Sequence, residues 1–93
     1  MVHELKCWPE YFEPILSDDK TFEARLNDRD FKVGDVLWLR EWVPPQRAGA
    51  VREYTGRDTR VRVTYIMTSA FPAVRPGWVV MALGRDAVSD EET

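Results

Sequence analysis

The sequence predicts a small α+β domain, a partly closed β-barrel of about five to six strands with one or two short helices. Three observations point there. Several short segments alternate apolar and polar side chains with the period of a strand, and one early segment repeats its apolar residues at helical spacing instead. At 93 residues the chain has room for one core, and 44% hydrophobic with 12% aromatic residues is enough to fill it. Closing the sheet suits so few strands, because it removes edges that would otherwise need protection.

Residues 3–8 alternate loosely and read as the first strand. Pro9 fits the first turn of a helix, where its missing N–H costs nothing. Tyr11, Phe12, Ile15 and Leu16 then give residues 10–17 an apolar helical stripe, interrupted by the hydrogen bond that Pro14 removes. A polar turn at Ser17-Asp18-Asp19 ends it. Residues 20–26 form a strand with Phe22, Ala24 and Leu26 on one face and Thr21, Glu23 and Arg25 on the other. Asn27-Asp28-Arg29-Asp30 is a turn, in which an Asx-type bond and a local ion pair are expected of Asp28 and Arg29.

Residues 36–42 are the clearest strand. Val36, Trp38, Arg40 and Trp42 share one side, and Leu37, Leu39 and Glu41 the other. Residues 43–53, with Pro44, Pro45 and Gly49, read as an extended loop, and Tyr54-Thr55-Gly56-Arg57 as a turn. Residues 59–67 alternate again as a strand, 69–76 form a loop, and 78–83 are so continuously apolar that a central strand is expected. The domain is expected to span 1–85, followed by a flexible acidic tail over 86–93.

Net charge is −3, which by itself argues against a nucleic-acid partner. The charge is unevenly spread. Residues 1–39 carry five basic against nine acidic side chains, and 40–85 eight arginines against three acids. Residues 86–93 hold four acids and no base, so the body without them stands at +1. Ten of the thirteen basic residues are arginine, whose planar fork suits phosphate and base stacking. Ordinary surface pairing in an arginine-rich composition accounts for them equally well.

No apolar run approaches the ~20 residues of a membrane span, and the start lacks the pattern of a secretory signal, so no membrane partner is expected. A single cysteine excludes an internal disulfide and fits a cytoplasmic protein. With one Cys and one His, no Cys/His metal site is expected, and no cofactor; a monomer is expected. Phosphate-binding glycine loops, nucleophile elbows and zinc-protease motifs are absent.

What remains is a polar cluster: His3 and Lys6, then Lys20, Glu23 and Arg25, then Asp28 and Arg29. It reads two ways, as surface ion pairs or as a cleft in which Lys20, Glu23 and Arg25 surround a ligand. His3 is either a packed residue or an acid–base group, and Cys7 either a small buried hydrophobe or a thiol activated by Lys6. Trp38 is expected to pack inward. Trp42, near Arg40, Arg47 and Arg52, is a candidate base-stacking platform.

The order of these residues resembles the ASCH domains of the PUA-like superfamily, and is similar to a small bacterial and phage branch of it. The resemblance rests on His3-Glu4-Leu5-Lys6 with Pro9 and the helix, and on Lys20-x-x-Glu23-x-Arg25. It continues through Asn27-Asp28-Arg29, Phe31-x-Val33-Gly34-Asp35, Leu39-x-Glu41-Trp42, Tyr54-Thr55-Gly56-Arg57 and Pro76-Gly77-x-Val79-Val80-Met81, covering about residues 3–83. It implies a PUA-like barrel whose signature Lys20, Glu23 and Arg25 line a cleft for RNA or a modified nucleobase or nucleotide. The ligand-binding set is then His3, Lys6, Lys20, Glu23, Arg25, Arg29, Arg40 and Trp42, with the arginines from 40 to 62 tracking a nucleic-acid backbone.

Two departures qualify the match. The glycine usual two residues before the signature lysine is Asp18. One ASCH-like group, the N4-acetylcytidine amidohydrolases, is understood to use a threonine three residues after the lysine, where this chain has Glu23; Glu53 is the candidate for that group's distant Glu. An amidohydrolase, or a metal-independent ribonuclease using Lys20, Glu23 and His3, is the alternative to a binding module. A third possibility is an accessory protein that binds a partner through the acidic tail.

Overall fold

The computed structural model describes residues 1–45 and 53–85. The acidic tail, Arg47, Arg52 and most of the 43–53 loop lie outside the described residues. Six elements follow in order: β1 (Val2–Cys7), α1 (Pro9–Leu16), β2 (Phe22–Leu26), β3 (Val36–Trp42), β4 (Tyr54–Met67) and β5 (Trp78–Gly84). The strands form one sheet in the order β1-β3-β4-β5-β2, with β1 and β3 parallel and the other pairs antiparallel. This is an α+β domain, with α1 as the one helix laid out in full among the described residues. The nearly continuous apolar strand β5 is internal, between β4 and β2, as its composition requires.

Alternation in β3 decides which way the sheet faces. Leu37, Leu39 and Glu41 are buried, and with Leu5 and Cys7 of β1 and Val61 and Val63 of β4 they line the core. The helix covers it with Phe12 and Ile15, both essentially inaccessible. Pro9 opens α1 at its first position, and Pro14 lies inside it. Trp38 does not join this core. It stands half-buried on the opposite face of β3, its Nε1 donating to Asp58 at 2.5 Å and the guanidiniums of Arg40 and Arg60 at 5.3 and 5.0 Å from its ring. An indole between cations and a carboxylate keeps its N–H paired, which the core would not allow.

Residues 54–57 belong to β4 and are not a separate turn. Gly56 takes φ 94°, and the register shifts opposite, between Arg40 and Trp42, so the turn-like composition marks an irregularity inside a long strand. The Asx-type bond at 27–31 comes from Asn27, whose Oδ1 accepts from the Phe31 N–H at 3.1 Å, and not from Asp28.

Asp18 explains the missing glycine. It has φ 65° directly after the helix, the left-handed conformation that makes glycine usual there, and aspartate is one of the few residues that tolerates it. Its carboxylate also accepts from Arg85 Nε at 2.8 Å. Asp18→Gly and Asp18→Val both lose that bond and differ in backbone preference. Asp18→Val is therefore expected to be less stable than Asp18→Gly by ~1–2 kcal/mol, read from urea unfolding midpoints. Equal midpoints would mean that the turn does not impose this conformation in solution.

Candidate functional site

The short strand β2 is built inside out. In its register with β5, Glu23 lies opposite Met81 and Arg25 opposite Val79, and both partners are buried. The charged face of β2 thus points inward with them, while Phe22 and Leu26 stand 49% and 48% exposed. Glu23 is only 5% exposed. A carboxylate removed from water this far costs several kcal/mol unless cations and hydrogen bonds replace its hydration. Both oxygens are supplied: Lys20 Nζ donates to Oε1 at 2.9 Å and Arg25 Nε to Oε2 at 2.5 Å. Each cation also rests on a backbone carbonyl, Lys20 on Phe22 O at 2.8 Å and Arg25 Nη2 on Lys6 O at 2.6 Å.

These three residues border one cleft of about 740 Å³, in the size range of small-molecule sites. Lys6 and Arg29 line it too, so four cations face two acids, Glu23 and Asp28, and the cleft is locally positive. Its apolar lining includes Trp8, Tyr11, Phe22, Trp42 and Trp78. Trp8 and Tyr11 are stacked, with centroids 6.3 Å apart and planes 21° from parallel. Trp42 lies under the Lys6 ammonium at 4.6 Å and donates from Nε1 to Glu53 at 3.2 Å. Lys20 also borders a smaller hollow of about 320 Å³ beside Arg85, whose guanidinium is engaged by Asp18, Thr59 and the Ile15 carbonyl.

Of the residues singled out from sequence, the cleft brings together Lys6, Lys20, Glu23, Arg25, Arg29 and Trp42. It does not include His3 or Arg40. His3 is 4% exposed, its Nε2 is 2.8 Å from Asp35 Oδ2, and its ring meets Phe31 edge-on at 4.8 Å. Strand alternation turns it into the core with Leu5 and Cys7, so it buttresses the loop before β3. Arg40 faces away from the core, donating to Glu4 at 2.7 Å with its guanidinium 4.0 Å from the Tyr54 ring. The other described arginines expected to track a backbone are engaged as well: Arg57 by Glu41 and Glu13, Arg60 by the Trp38 ring, and Arg62 by the Gly34 carbonyl. The cleft draws its charge from earlier in the chain.

Trp8, Tyr11 and Trp78 were not legible as site residues, although Trp8-x-x-Tyr11 bracketing the helix start was a usable signal. A second buried carboxylate, Glu41, joins two motifs that are separate in sequence. It accepts from Arg57 Nε at 2.9 Å and Nη2 at 3.0 Å and from Thr55 Oγ1 at 2.7 Å. Those bonds hold its pKa below the usual carboxylate value, against the opposing effect of burial. Burial would raise the pKa of Asp35, but bonds from His3, the Lys32 N–H and the chain's amino group outweigh it and lower the value. Cys7, opposite Glu41 in the β1–β3 register, has its thiol pushed up to about 11 by burial and by the Glu23 charge, so it stays protonated at neutral pH. Among the described residues no group of three or more His, Cys, Asp or Glu is placed to hold a metal ion, and no helix is long and apolar enough to cross a membrane.

Comparison with known proteins gives two findings. The family described as a domain of unknown function (DUF3850) matches residues 2–83. The chain is also similar to the uncharacterized 12.9 kDa protein in the GpA 3′ region of Escherichia phage P2, at 36% identity over 63 residues. That alignment takes in 68% of this chain and 51% of the phage protein, so the chain spans about half the length of the curated relative it matches.

Two expectations follow from the buried groups. Glu41 and Asp35 bind fewer protons folded than unfolded between their lowered values and the ordinary 4.5 and 3.8. Their contribution is complete above the ordinary values and is lost as pH falls through the lowered ones. Unfolding midpoints should therefore drop in that acid window, and Glu41→Gln should flatten the drop; an unchanged acid slope would remove Glu41 as a cause. Separately, Cys7 should not react with a disulfide-exchange reagent at pH 8 until denaturant is added, and prompt native-state labelling would contradict its burial.

Proposed function

We propose the following for this chain, which belongs to the DUF3850 family: the cleft between β1, β2 and α1 binds RNA or a modified nucleobase or nucleotide. One observation carries the reading. Lys20, Glu23 and Arg25 converge on one open, positively charged cleft whose walls are aromatic. This arrangement also supports the finer reading of the fold as an ASCH-type, PUA-like barrel, in which those signature residues line the binding cleft.

Each part has a role in base recognition. Glu23, fixed by two cations, accepts from an exocyclic amine such as that of cytosine. Lys20 and Arg25 supply donors to a base carbonyl or phosphate. Trp8, Tyr11 and Trp42 offer faces for stacking, which is worth ~1–3 kcal/mol per base. Less supports hydrolysis. Lys20 is paired with Glu23 where the amidohydrolase pattern has a threonine, the Cys7 thiol is protonated, and His3 is tied to Asp35 outside the cleft.

Calorimetric titration with cytidine, N4-acetylcytidine and a short single-stranded RNA tests the reading. Binding is expected to weaken ~10- to 100-fold in Glu23→Gln, which keeps the side-chain volume and loses the anionic acceptor, in line with the ~1–3 kcal/mol of a good base contact. Folded Glu23→Gln and Lys20→Ala proteins that bind all three like the parent chain would overturn it. Turnover of N4-acetylcytidine would instead move the cleft into the hydrolase class.

A further inference from the structure

The strands β1 and β2 are the two edges of the sheet, and the cleft lies between them. Across it, two guanidinium groups rest on backbone carbonyls of β1. Arg29 Nη1 donates to Glu4 O at 2.8 Å and Arg25 Nη2 to Lys6 O at 2.6 Å. Carbonyls two residues apart along a strand are ~6.6 Å apart, so the donors anchored on them keep about that separation.

These two bonds differ from those of three other arginines. Arg40, Arg57 and Arg85 are each paired with a carboxylate. Arg29 makes no ion pair among the described residues, and Arg25 spends one edge on Glu23 while its Nη2 holds only a carbonyl. Both carbonyl contacts are exposed, and each uses one N–H of a guanidinium that carries five donors, so the others can reach a ligand while the arginine stays anchored on β1. A phosphate oxygen is the stronger acceptor, since hydrogen bonds between opposite charges are shorter and stronger than those to neutral groups.

Resting on the reading of the cleft given above, we propose that Arg25 and Arg29 form two phosphate sites at one-nucleotide spacing, making the ligand a single-stranded di- or oligonucleotide. The separation is too wide for a pyrophosphate, whose phosphorus atoms share one bridging oxygen. It suits successive phosphates separated by a sugar. The edge strand β1 sets the interval, because its two-residue repeat positions both donors before any ligand arrives. A base extending from either phosphate then meets Glu23 or the aromatic walls.

The test is titration of the full chain with a 5′-phosphorylated dinucleotide and with the matching 5′-mononucleotide, from low to moderate salt. For the dinucleotide, log K is expected to fall more steeply with log salt than for the mononucleotide, since salt screens two phosphate contacts in the first and one in the second. The dinucleotide should be the tighter ligand at low salt. In Arg29→Ala its slope should shrink to about that of the mononucleotide and its advantage disappear, while Arg29→Lys keeps the charge and the slope. Arg29→Gln replaces Arg29→Ala should the latter show a lowered unfolding midpoint. Equal slopes and affinities for the two ligands in the parent chain overturn the paired sites while leaving a nucleotide cleft. Failure of mononucleotide, dinucleotide and longer RNA alike overturns the cleft reading itself, and the inference with it.

Discussion

A carboxylate in the core of a small sheet protein is the constraint from which the rest of the site follows. Glu23 is buried, so Lys20 and Arg25 must stay with it, because an uncompensated charge there would cost a large part of a small domain's stability. Holding that ion triplet inside forces β2 to turn its polar face inward and its apolar face out. Phe22 and Leu26 are left in partial contact with water as a consequence. The cations then occupy the space where a further strand pairing would have closed the sheet. Between β1 and β2 there is no ladder of backbone hydrogen bonds; the guanidiniums of Arg25 and Arg29 reach across to β1 instead. The gap between the two edge strands and the charge that lines it therefore have one cause.

The molecule contains a useful contrast in its second buried glutamate. Glu41 sits across from Cys7, Glu23 raises the pKa of the same thiol through its charge, and both carboxylates are nearly inaccessible. Glu41 receives both edges of Arg57 and a threonine hydroxyl, and Arg57 goes on to bond Glu13 of the helix with its guanidinium over the Phe12 ring. Every strong donor in that cluster ends on a carboxylate, and the result fastens α1 to the sheet. Around Glu23 the donors end partly on neutral carbonyls beside an open cavity. Similar residue types thus give a fastener at one end of the core and an open, charged cleft at the other. The difference lies in where the second hydrogen bond of each cation goes.

Much of the fold was legible because periodicity is local. The helix after Pro9, the alternation of β3 and the central position of β5 follow from side chains a few residues apart. Period two also placed Glu23 and Arg25 on one face of β2. It could not say which face is inside, and the usual preference for burying Phe22 and Leu26 points the wrong way. That choice depends on Met81 and Val79 of a strand more than fifty residues later. His3 shows the same limit. Its position three residues before Lys6 implies a shared site, yet residues an odd number apart in a strand face opposite ways, and the loop before β3 supplies Asp35 to hold it. Trp38 fails for a third reason: hydrophobic size predicted burial, but the arginines at 40 and 60 and Asp58 form a polar seat for an indole on the outer face. Asp18 was readable as an exception and became intelligible once its backbone angle was known.

The net charge of −3 includes the four acids of residues 86–93, and in the rest of the chain, which stands at +1, pairing decides where the positive field lies. Among the described residues, five acidic side chains outside the cleft are spent on cations outside it: Glu4 on Arg40, Glu13 and Glu41 on Arg57, Asp18 on Arg85, Asp30 on Lys32. Each such pair contributes little field beyond its own length, because opposite charges a few ångströms apart cancel at a distance and salt screens the remainder. Lys6 and Arg29 are held by an aromatic face and a carbonyl, which leave their charge intact. A low-dielectric wall of aromatic rings beside them concentrates that field in the cleft. The quantity that governs an anionic ligand is thus the number of cations without carboxylate partners at the opening, and the sum over the chain is nearly irrelevant to it.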